Sequence, residues 1–404
     1  MRSSRRLPVF ALEEWFRRFA FEEAMVNLSP SNPRSPSLTQ LCELAGTSPG
    51  ALGEVSLDYG ETAGTPALRA AIAGLYCDLD PGSVVVTSGA LEAITLSLAC
   101  LVGTGDVVVL ETPIYGAYRP LLERLGAQVV PLGLEGAASY EHRLEALKET
   151  LAGHHPLLAV VNPFNNPTGR GLCSDDALLG VAERCAAHGC RLLSDEVFRF
   201  LGLDGTGMAS VLDLVPGRSG GSSGDARDGA APIALGDMTK AWGLGGLRIG
   251  WVACRDPDLL AAVLDARDYT TNSSSTLSEA VATMALSVRD QLLAAPLAAA
   301  RTARDDLDRR IATTGGALAW QPPRGGYCGW VEVPSAAPGE VARACEVLAT
   351  ERHLLLLPGA VFGPAGDRHV RVGLAAGADA IWQGLEGLLE VLGSPPHAPG
   401  PLGG

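Results

Sequence analysis

The sequence predicts an α/β protein, with a large unit built on a mostly parallel sheet flanked by helices and a smaller α+β unit. Three observations predict it. Short β-rich runs at residues 84–86, 106–111, 128–134, 157–161, 191–195, 233–236 and 247–254 recur between helical patterns. Successive runs joined through helices are βαβ crossovers, which lay strands parallel. Beyond Thr276 the texture changes to a long helical pattern to about residue 314, followed by short strands and helices.

A chain of 404 residues with 47% hydrophobic content can fill two cores. We expect a large domain over 45–275, a small one made of 1–44 with 276–393, and a disordered Pro/Gly-rich tail over 394–404. A formal net charge of −14 gives no basic footprint for nucleic acid and would repel an anionic membrane. No run approaches the roughly eighteen uncharged apolar residues of a membrane span. The nine cysteines are scattered, with no Cys-x-x-Cys and no zinc spacing, so no metal site is expected. They read as reduced thiols of a cytoplasmic protein.

In chain order, residues 7–26 form an amphipathic helix with Leu12, Trp15, Phe16 and Phe19 on one face. The proline-rich stretch 27–36 is a connector. Residues 57–69, Leu-Asp-Tyr-Gly-Glu-Thr-Ala-Gly-Thr-Pro-Ala-Leu-Arg, lead into a helix ending near Tyr76. Val84-Val85-Val86-Thr87-Ser88-Gly89 feeds a helix whose first N–H groups, at Gly89, Ala90 and Leu91, can cradle an anion. The strand over 106–111 closes at Thr112-Pro113-Ile114-Tyr115, where an aromatic ring can stack on a planar ligand. Tyr118 is the alternative.

Leucines 144, 147 and 151 recur at helical spacing, which leaves Lys148 on a solvated face. After the strand over 157–161, Asn162-Pro163-Phe164-Asn165-Asn166-Pro167-Thr168-Gly169 fixes an irregular turn whose amides can hydrogen-bond without titrating. Ser174 caps a helix over 175–188, and the next strand delivers Asp195. A carboxylate at the end of a buried strand is costly unless a cation faces it. Residues 215–232 read as a Gly/Ser-rich mobile loop, and 256–269 as a helix that ends in Arg267-Asp268-Tyr269-Thr270-Thr271-Asn272-Ser273. Strands are expected at 354–357 and at His369–Leu374, the latter carrying Arg371, whose guanidinium suits a carboxylate.

The stretch that organises the chain is Asp237-Met238-Thr239-Lys240-Ala241-Trp242-Gly243-Leu244-Gly245-Gly246-Leu247-Arg248-Ile249-Gly250. Only two lysines occur in the sequence, Lys148 and Lys240. Lys240 follows an apolar run and precedes glycines and an arginine eight positions on, which suits an amine held beside a phosphate. That is the layout of a Schiff-base lysine.

Thr239-Lys240 with Gly243, Gly246, Arg248 and Gly250 resembles the lysine signature of the class I/II pyridoxal-phosphate aminotransferases, and the resemblance covers most of residues 10–393. The Asn162–Gly169 string resembles the same family's asparagine-proline-threonine-glycine motif. The resemblance implies a fold type I enzyme with a seven-stranded sheet, pyridoxal 5'-phosphate as cofactor, an amino acid and a 2-oxo acid as substrates, and a homodimer with shared active sites. Lys240 would hold the cofactor and move the α-proton, Asp195 would face the pyridine nitrogen, Asn166 the phenolic oxygen, and Tyr115 would stack on the ring. Gly89, Ala90, Leu91, Thr239 and Arg248 would hold the phosphate, with Tyr59 reaching the partner's cofactor and residues 267–273 approaching the partner's phosphate. Arg371 would take the substrate's α-carboxylate, near Asn166, Ser31 and Asn32.

Two positions depart from the family pattern. Phe198 replaces a tyrosine that donates to the phenolic oxygen, and Asp237 stands where a hydroxyl commonly meets the phosphate. Phenylalanine at 198 also resembles relatives of the capreomycidine-synthase and arginine-oxidising kind. The alternative function is therefore a PLP-dependent cyclase, lyase or oxidase acting on an amino acid in specialised metabolism. A cofactor-sensing regulator is disfavoured, since residues 1–45 are too few and too weakly basic for a DNA-binding module.

Overall fold

The computed structural model describes residues 9–133, 140–205, 207–215 and 231–393. Most of the expected Gly/Ser-rich loop and the tail at 394–404 lie outside these residues. The chain opens with helix α1 (Ala11–Phe19), which buries Leu12, Trp15 and Phe19 and leaves Phe16 half-buried. Strand β1 (Val26–Asn27) and helix α2 (Leu38–Leu44) follow, the latter started by a capping box between Ser37 and Gln40.

The large sheet begins after α3 (Pro66–Ala73) with β2 (Val84–Thr87), and α4 (Ala90–Leu101) leads to β3 (Val107–Thr112). Then α5 (Tyr118–Leu125), β4 (Gln128–Gly133), α6 (Tyr140–His154), β5 (Leu158–Val161), α7 (Asp175–Ala187) and β6 (Arg191–Asp195) alternate. A short α8 (Val211–Leu214) precedes β7 (Ile233–Asp237), β8 (Gly250–Cys254) and α9 (Pro257–Arg267). The seven strands lie in the order β2-β8-β7-β6-β5-β3-β4. All neighbours are parallel except β8, which runs antiparallel to both β2 and β7. The reason is local: β7 and β8 are joined without an α-helix, and a parallel return needs a helical crossover. The strand expected over 247–254 accordingly starts only at Gly250, after a 3-10 turn at Gly245–Leu247.

Both faces of this sheet are covered, which is why its strands read as unbroken apolar runs. Val84, Val86, Val109, Val161, Leu192 and Ala234 fall in one core, and Val85, Val108, Leu110, Val160, Leu193 and Leu235 in the other. That period of two is the strand's own. Each fully buried valine or leucine contributes about 1.5–3 kcal/mol relative to exposure.

The helical pattern after Thr276 is two helices, α10 (Thr276–Ser287) and α11 (Arg289–Ala312), which meet at Val288. Next come β9 (Ala319–Trp320), β10 (Cys328–Glu332), α12 (Glu340–Arg352), β11 (Leu354–Leu355), β12 (Leu357–Pro358), β13 (His369–Gly373) and α13 (Ala378–Val391). Strands β12-β13-β10-β9 form an antiparallel sheet, and β11 pairs in parallel with β1, Val26 opposite Leu354. Cys328 lies opposite Gly373, and Trp330 opposite Arg371. Opposed residues of an antiparallel pair share a face, so Cys328 and Arg371 project from the same side.

Candidate active site

The carboxyl ends of β5, β6 and β7 converge on one crevice, the place where open α/β sheets bind ligands. Asp237 ends β7, and its Oδ1 accepts the backbone N–H groups of Thr239 and Lys240, both at 3.1 Å. The carboxylate expected to oppose a phosphate is thus turned back onto the turn that carries the lysine. Gly243 closes that turn at φ +70°, with a Cβ there only 3.2 Å from the Arg34 carbonyl oxygen. Lys240 Nζ donates to Ser31 Oγ at 2.9 Å. Burial lowers the lysine's proton affinity, with the Asp237 charge opposing. Such an amine is more readily deprotonated and hence nucleophilic. Asn32 instead bonds the Pro33 carbonyl at 3.1 Å.

Asp195 ends β6 and is 3% exposed. Tyr118 donates its hydroxyl to Asp195 Oδ2 at 2.9 Å, and Asn162 Nδ2 holds the Asp195 carbonyl at 2.7 Å. Burial pushes the carboxyl up to about 6, with the Tyr118 bond opposing. A cationic ring nitrogen brought here would remove the burial cost. Tyr118, the alternative stacking residue, is therefore engaged with Asp195. Tyr115 remains half-buried at the end of β3, edge-on to Phe10, with ring centroids 5.4 Å apart.

Asn166 follows β5, and its Oδ1 accepts Arg371 Nη1 at 2.9 Å and faces the Cys328 thiol at 3.8 Å. Because both neighbours are donors, the oxygen must face them, and the amide nitrogen faces away. Arg371 is 2% exposed. Its Nη2 donates to the Ser29 carbonyl at 2.8 Å, while its Nε has no partner among the described residues. A buried guanidinium with a spare donor suits a carboxylate ligand. Phe198 is 1% exposed, so a fully buried ring stands where the family's donor would be.

The N-terminus of α4 is the turn expected to cradle an anion. Gly89 caps it at φ +87°, and a Cβ there would lie 2.3 Å from Arg248 Nη2. The exposed Arg248 is held over this turn by bonds to the Ser88 and Gly245 carbonyls, both at 3.2 Å. Ala90 and Leu91 form the first helical turn. Glu92 anchors the cradle: it accepts the Ser88 N–H at 2.5 Å and the hydroxyls of Thr270 and Thr271 at 2.9 and 2.7 Å. Arg267, fully buried, stands 3.9 Å from Glu92 and bonds the Thr62 carbonyl and Ser274. Tyr59 is 87% exposed, far from any role in its own chain's site, and Leu57 and Tyr269 are exposed with it.

An amine nucleophile, a buried acid, a ring wall, an anion cradle with a cation over it and a carboxylate receptor fit pyridoxal phosphate and an amino acid. Sequence reasoning missed Cys328, read as a core thiol, and the Tyr118–Asp195 bond. The Gly325-Gly326 turn immediately ahead of Cys328 was the available signal for the former.

Comparisons with known proteins agree. The profile of the family described as aminotransferase class I and II matches residues 23–383. The chain is 33% identical over 402 residues to capreomycidine synthase of Streptomyces vinaceus, covering 98% of this chain and 96% of that one. It is 28% identical to the arginine–pyruvate transaminase of Pseudomonas aeruginosa, covering 80% and 79%. Among solved structures, the PLP-dependent cyclase OrfR superposes with a TM-score of 0.82 at 30% identity, covering 95% of this chain and 98% of that one. A PLP-dependent aminotransferase from Streptococcus suis gives 0.82 at 27% identity, covering 96% and 98%. The fold is that of the fold type I PLP enzymes and the cofactor is pyridoxal 5'-phosphate. The chain belongs to the class I and II aminotransferase family.

Proposed function

We propose that Lys240, Asp195, Asn166 and Arg371 carry the reaction of an aminotransferase that moves an amino group from an L-amino acid to a 2-oxo acid. When bound, pyridoxal phosphate supplies an aldehyde carbon for covalent attachment and a ring that accepts the electron pair left by the departing α-proton. Lys240 Nζ would hold the cofactor covalently, and its free amine would accept and return the substrate's α-proton. Asp195, steadied by Tyr118, would keep the ring nitrogen protonated. Asn166 Nδ2 would donate to the phenolic oxygen, and Tyr115 would cover the ring. The first turn of α4, with Thr239 and Arg248, would hold the phosphate. Arg371 orients the α-carboxylate beside Ser31 and Asn32, which sets the Cα–H bond near Lys240.

The observation that carries this reading is the Lys240 amine, bonded to Ser31 and standing within the electrostatic reach of Asp195 and Arg371. Absorption spectra of the holoenzyme, taken as single amino acids are added with and without oxygen, test it. Conversion of the cofactor to its amine form, reversed by a 2-oxo acid, is expected.

A second reading is a PLP-dependent cyclase, lyase or oxidase of specialised metabolism. It is favoured by the buried Phe198, which offers no donor, and by relatives named as a capreomycidine synthase and a cyclase. Substrate loss with the original cofactor form regenerated, or turnover that needs oxygen and no acceptor, would establish it.

The active assembly in our reading is a homodimer in which Tyr59 and residues 267–273 approach the partner's phosphate. Exposure of the large apolar side chains Leu57, Tyr59 and Tyr269 supports it. Among the described residues no helix is long and apolar enough to cross a membrane. The cysteines are all free, which suits the reducing cytoplasm.

A further inference from the structure

Arg371 and Lys240 are both bonded to one short segment, residues 28–34, which runs from the four-stranded sheet to the turn that carries the lysine. At the sheet, Gly373 donates its N–H to the Leu28 carbonyl and Arg371 Nη2 to the Ser29 carbonyl, both at 2.8 Å. The Asn27 side chain accepts the Ser29 N–H at 2.9 Å, and Leu28 and Ser29 are fully buried. At the other end, a Cβ at Gly243 would lie 3.2 Å from the Arg34 carbonyl oxygen and 3.3 Å from the Pro33 ring, so the chain passes tight against the lysine's turn. Pro30 and Pro33 take further freedom out of the stretch between. Ser31 is thus aimed from a fixed backbone.

Its hydroxyl oxygen accepts from Lys240 Nζ at 2.9 Å and is that amine's one hydrogen-bond partner among the described residues. The groups whose charge acts on the amine are Asp237, Cys328, Arg371 and Asp195. Asp237 is spent on backbone N–H groups, Asp195 on Tyr118, and Arg371 on Asn166 and Ser29. Ser31 is left to steer the amine. A neutral amine donates through its N–H bonds and accepts only at its lone pair, so an N–H given to Ser31 leaves the lone pair open.

We propose that Ser31 is a catalytic residue of this site: its hydroxyl oxygen takes an N–H of the free Lys240 amine, leaves the lone pair for the substrate's α-proton, and stabilises the ammonium that forms. The proposal rests on the reading above in one respect, that Lys240 moves that proton. In the step the Cα–H bond breaks, its electron pair passes to the bound cofactor, and the proton forms a new N–H bond at Nζ. The bond to Ser31 then becomes charge-assisted, and such bonds are roughly twice as strong as neutral ones. An interaction that strengthens as charge develops accelerates the step instead of merely holding the amine.

The test compares the native protein with Ser31→Ala and Ser31→Thr in two arms. In the first, each holoenzyme is incubated with single common L-amino acids in D2O, and deuterium entering at Cα is read by mass spectrometry. In Ser31→Ala the exchange rate is expected to fall about tenfold or more at saturating amino acid, while the cofactor's absorption band stays in place and the dissociation constant stays within about twofold of native. Ser31→Thr, which keeps the hydroxyl, is expected to recover most of that loss. The second arm needs no substrate: trinitrobenzenesulfonate is added to the cofactor-free chain, and labelling of Lys240 is read by peptide mass against the exposed Lys148 in the same sample. Loss of the acceptor disfavours the ammonium and frees the amine, so Lys240 in Ser31→Ala should be labelled about threefold or more faster at a given pH. Exchange in Ser31→Ala within about twofold of native overturns the proposal, as does an unmoved labelling ratio or a loss of exchange that tracks a loss of bound cofactor. If exchange depends on Ser31 but no amino acid converts the cofactor to its amine form, the aminotransferase reading fails and the proposal stands. If the native holoenzyme exchanges no amino acid, or Lys240→Ala exchanges at the native rate, the role of Lys240 fails and the proposal with it.

Discussion

Arg371 and Asn166 fix one another: a guanidinium nitrogen from the four-stranded sheet donates to an amide oxygen in the loop that follows β5 of the seven-stranded sheet, 2.9 Å away and buried. Replacing Arg371 by lysine keeps the charge but forfeits the fork that serves Asn166 and Ser29 together. A charge-assisted hydrogen bond contributes about 1.5–3 kcal/mol. Arg371→Lys should therefore raise KM for the amino acid by about tenfold or more, with a smaller loss in kcat, as steady-state kinetics would show.

Cys328 gives the Asn166 oxygen its second donor, and Phe198 gives the cofactor's phenolic oxygen none. In the proposed site the Asn166 amide nitrogen would then be the donor that steadies that oxygen's negative charge. Cys328→Ala should loosen the amide and raise, by about half a unit, the pKa read from the pH dependence of the cofactor's visible absorption. Cys328→Ser should leave it near the native value, and Phe198→Tyr should lower it. An unmoved pKa in Cys328→Ala with only a lower Tm would reduce the thiol to packing.

Asp195 gives the cofactor-free protein a specific pH dependence. Its folded value, about 6, lies above the ordinary 3.8, so the native state is the more protonated one between those limits. Stability should thus fall as pH rises from about 4 to 6 and level off above, by up to about 3 kcal/mol. Asp195→Asn should flatten that slope in thermal melts of the cofactor-free protein, and bound cofactor should flatten it in the native one.

Lys240→Ala should abolish the absorption band of the attached cofactor while the protein stays folded. The other lysine offers no rescue, since Lys148 is exposed on α6 and paired with Glu145 at 2.9 Å. A band that persisted after dialysis against a competing amine would overturn the assignment of the attachment site.

What could be read from the sequence was what lies close together in it. Strand ends mark the crevice, so Asp195, Asn166 and Lys240 were legible from the apolar runs that precede them. Asp237 was legible in type but not in direction: a carboxylate three residues before a lysine can face a ligand or cap its own turn, and the two N–H groups of Thr239 and Lys240 decided the matter. The break at Val288 was hidden because the apolar rhythm continues across it. Tyr118 meets Asp195 from 77 residues away, and Cys328 meets Asn166 from 162 away. Neither meeting leaves a local pattern, because the pairing register of two sheets sets both.

The connector that follows β1 also limits how far the two sheets can part. Leu28 is tied to the four-stranded sheet through the Gly373 N–H at 2.8 Å, and Ser31 to Lys240 at 2.9 Å. Three residue steps of extended chain reach only about 10–11 Å. The segment is therefore a short leash between the four-stranded sheet and the lysine. Any wider swing must first pull Ser31 off the amine, so opening the cleft and unhooking Lys240 become a single event.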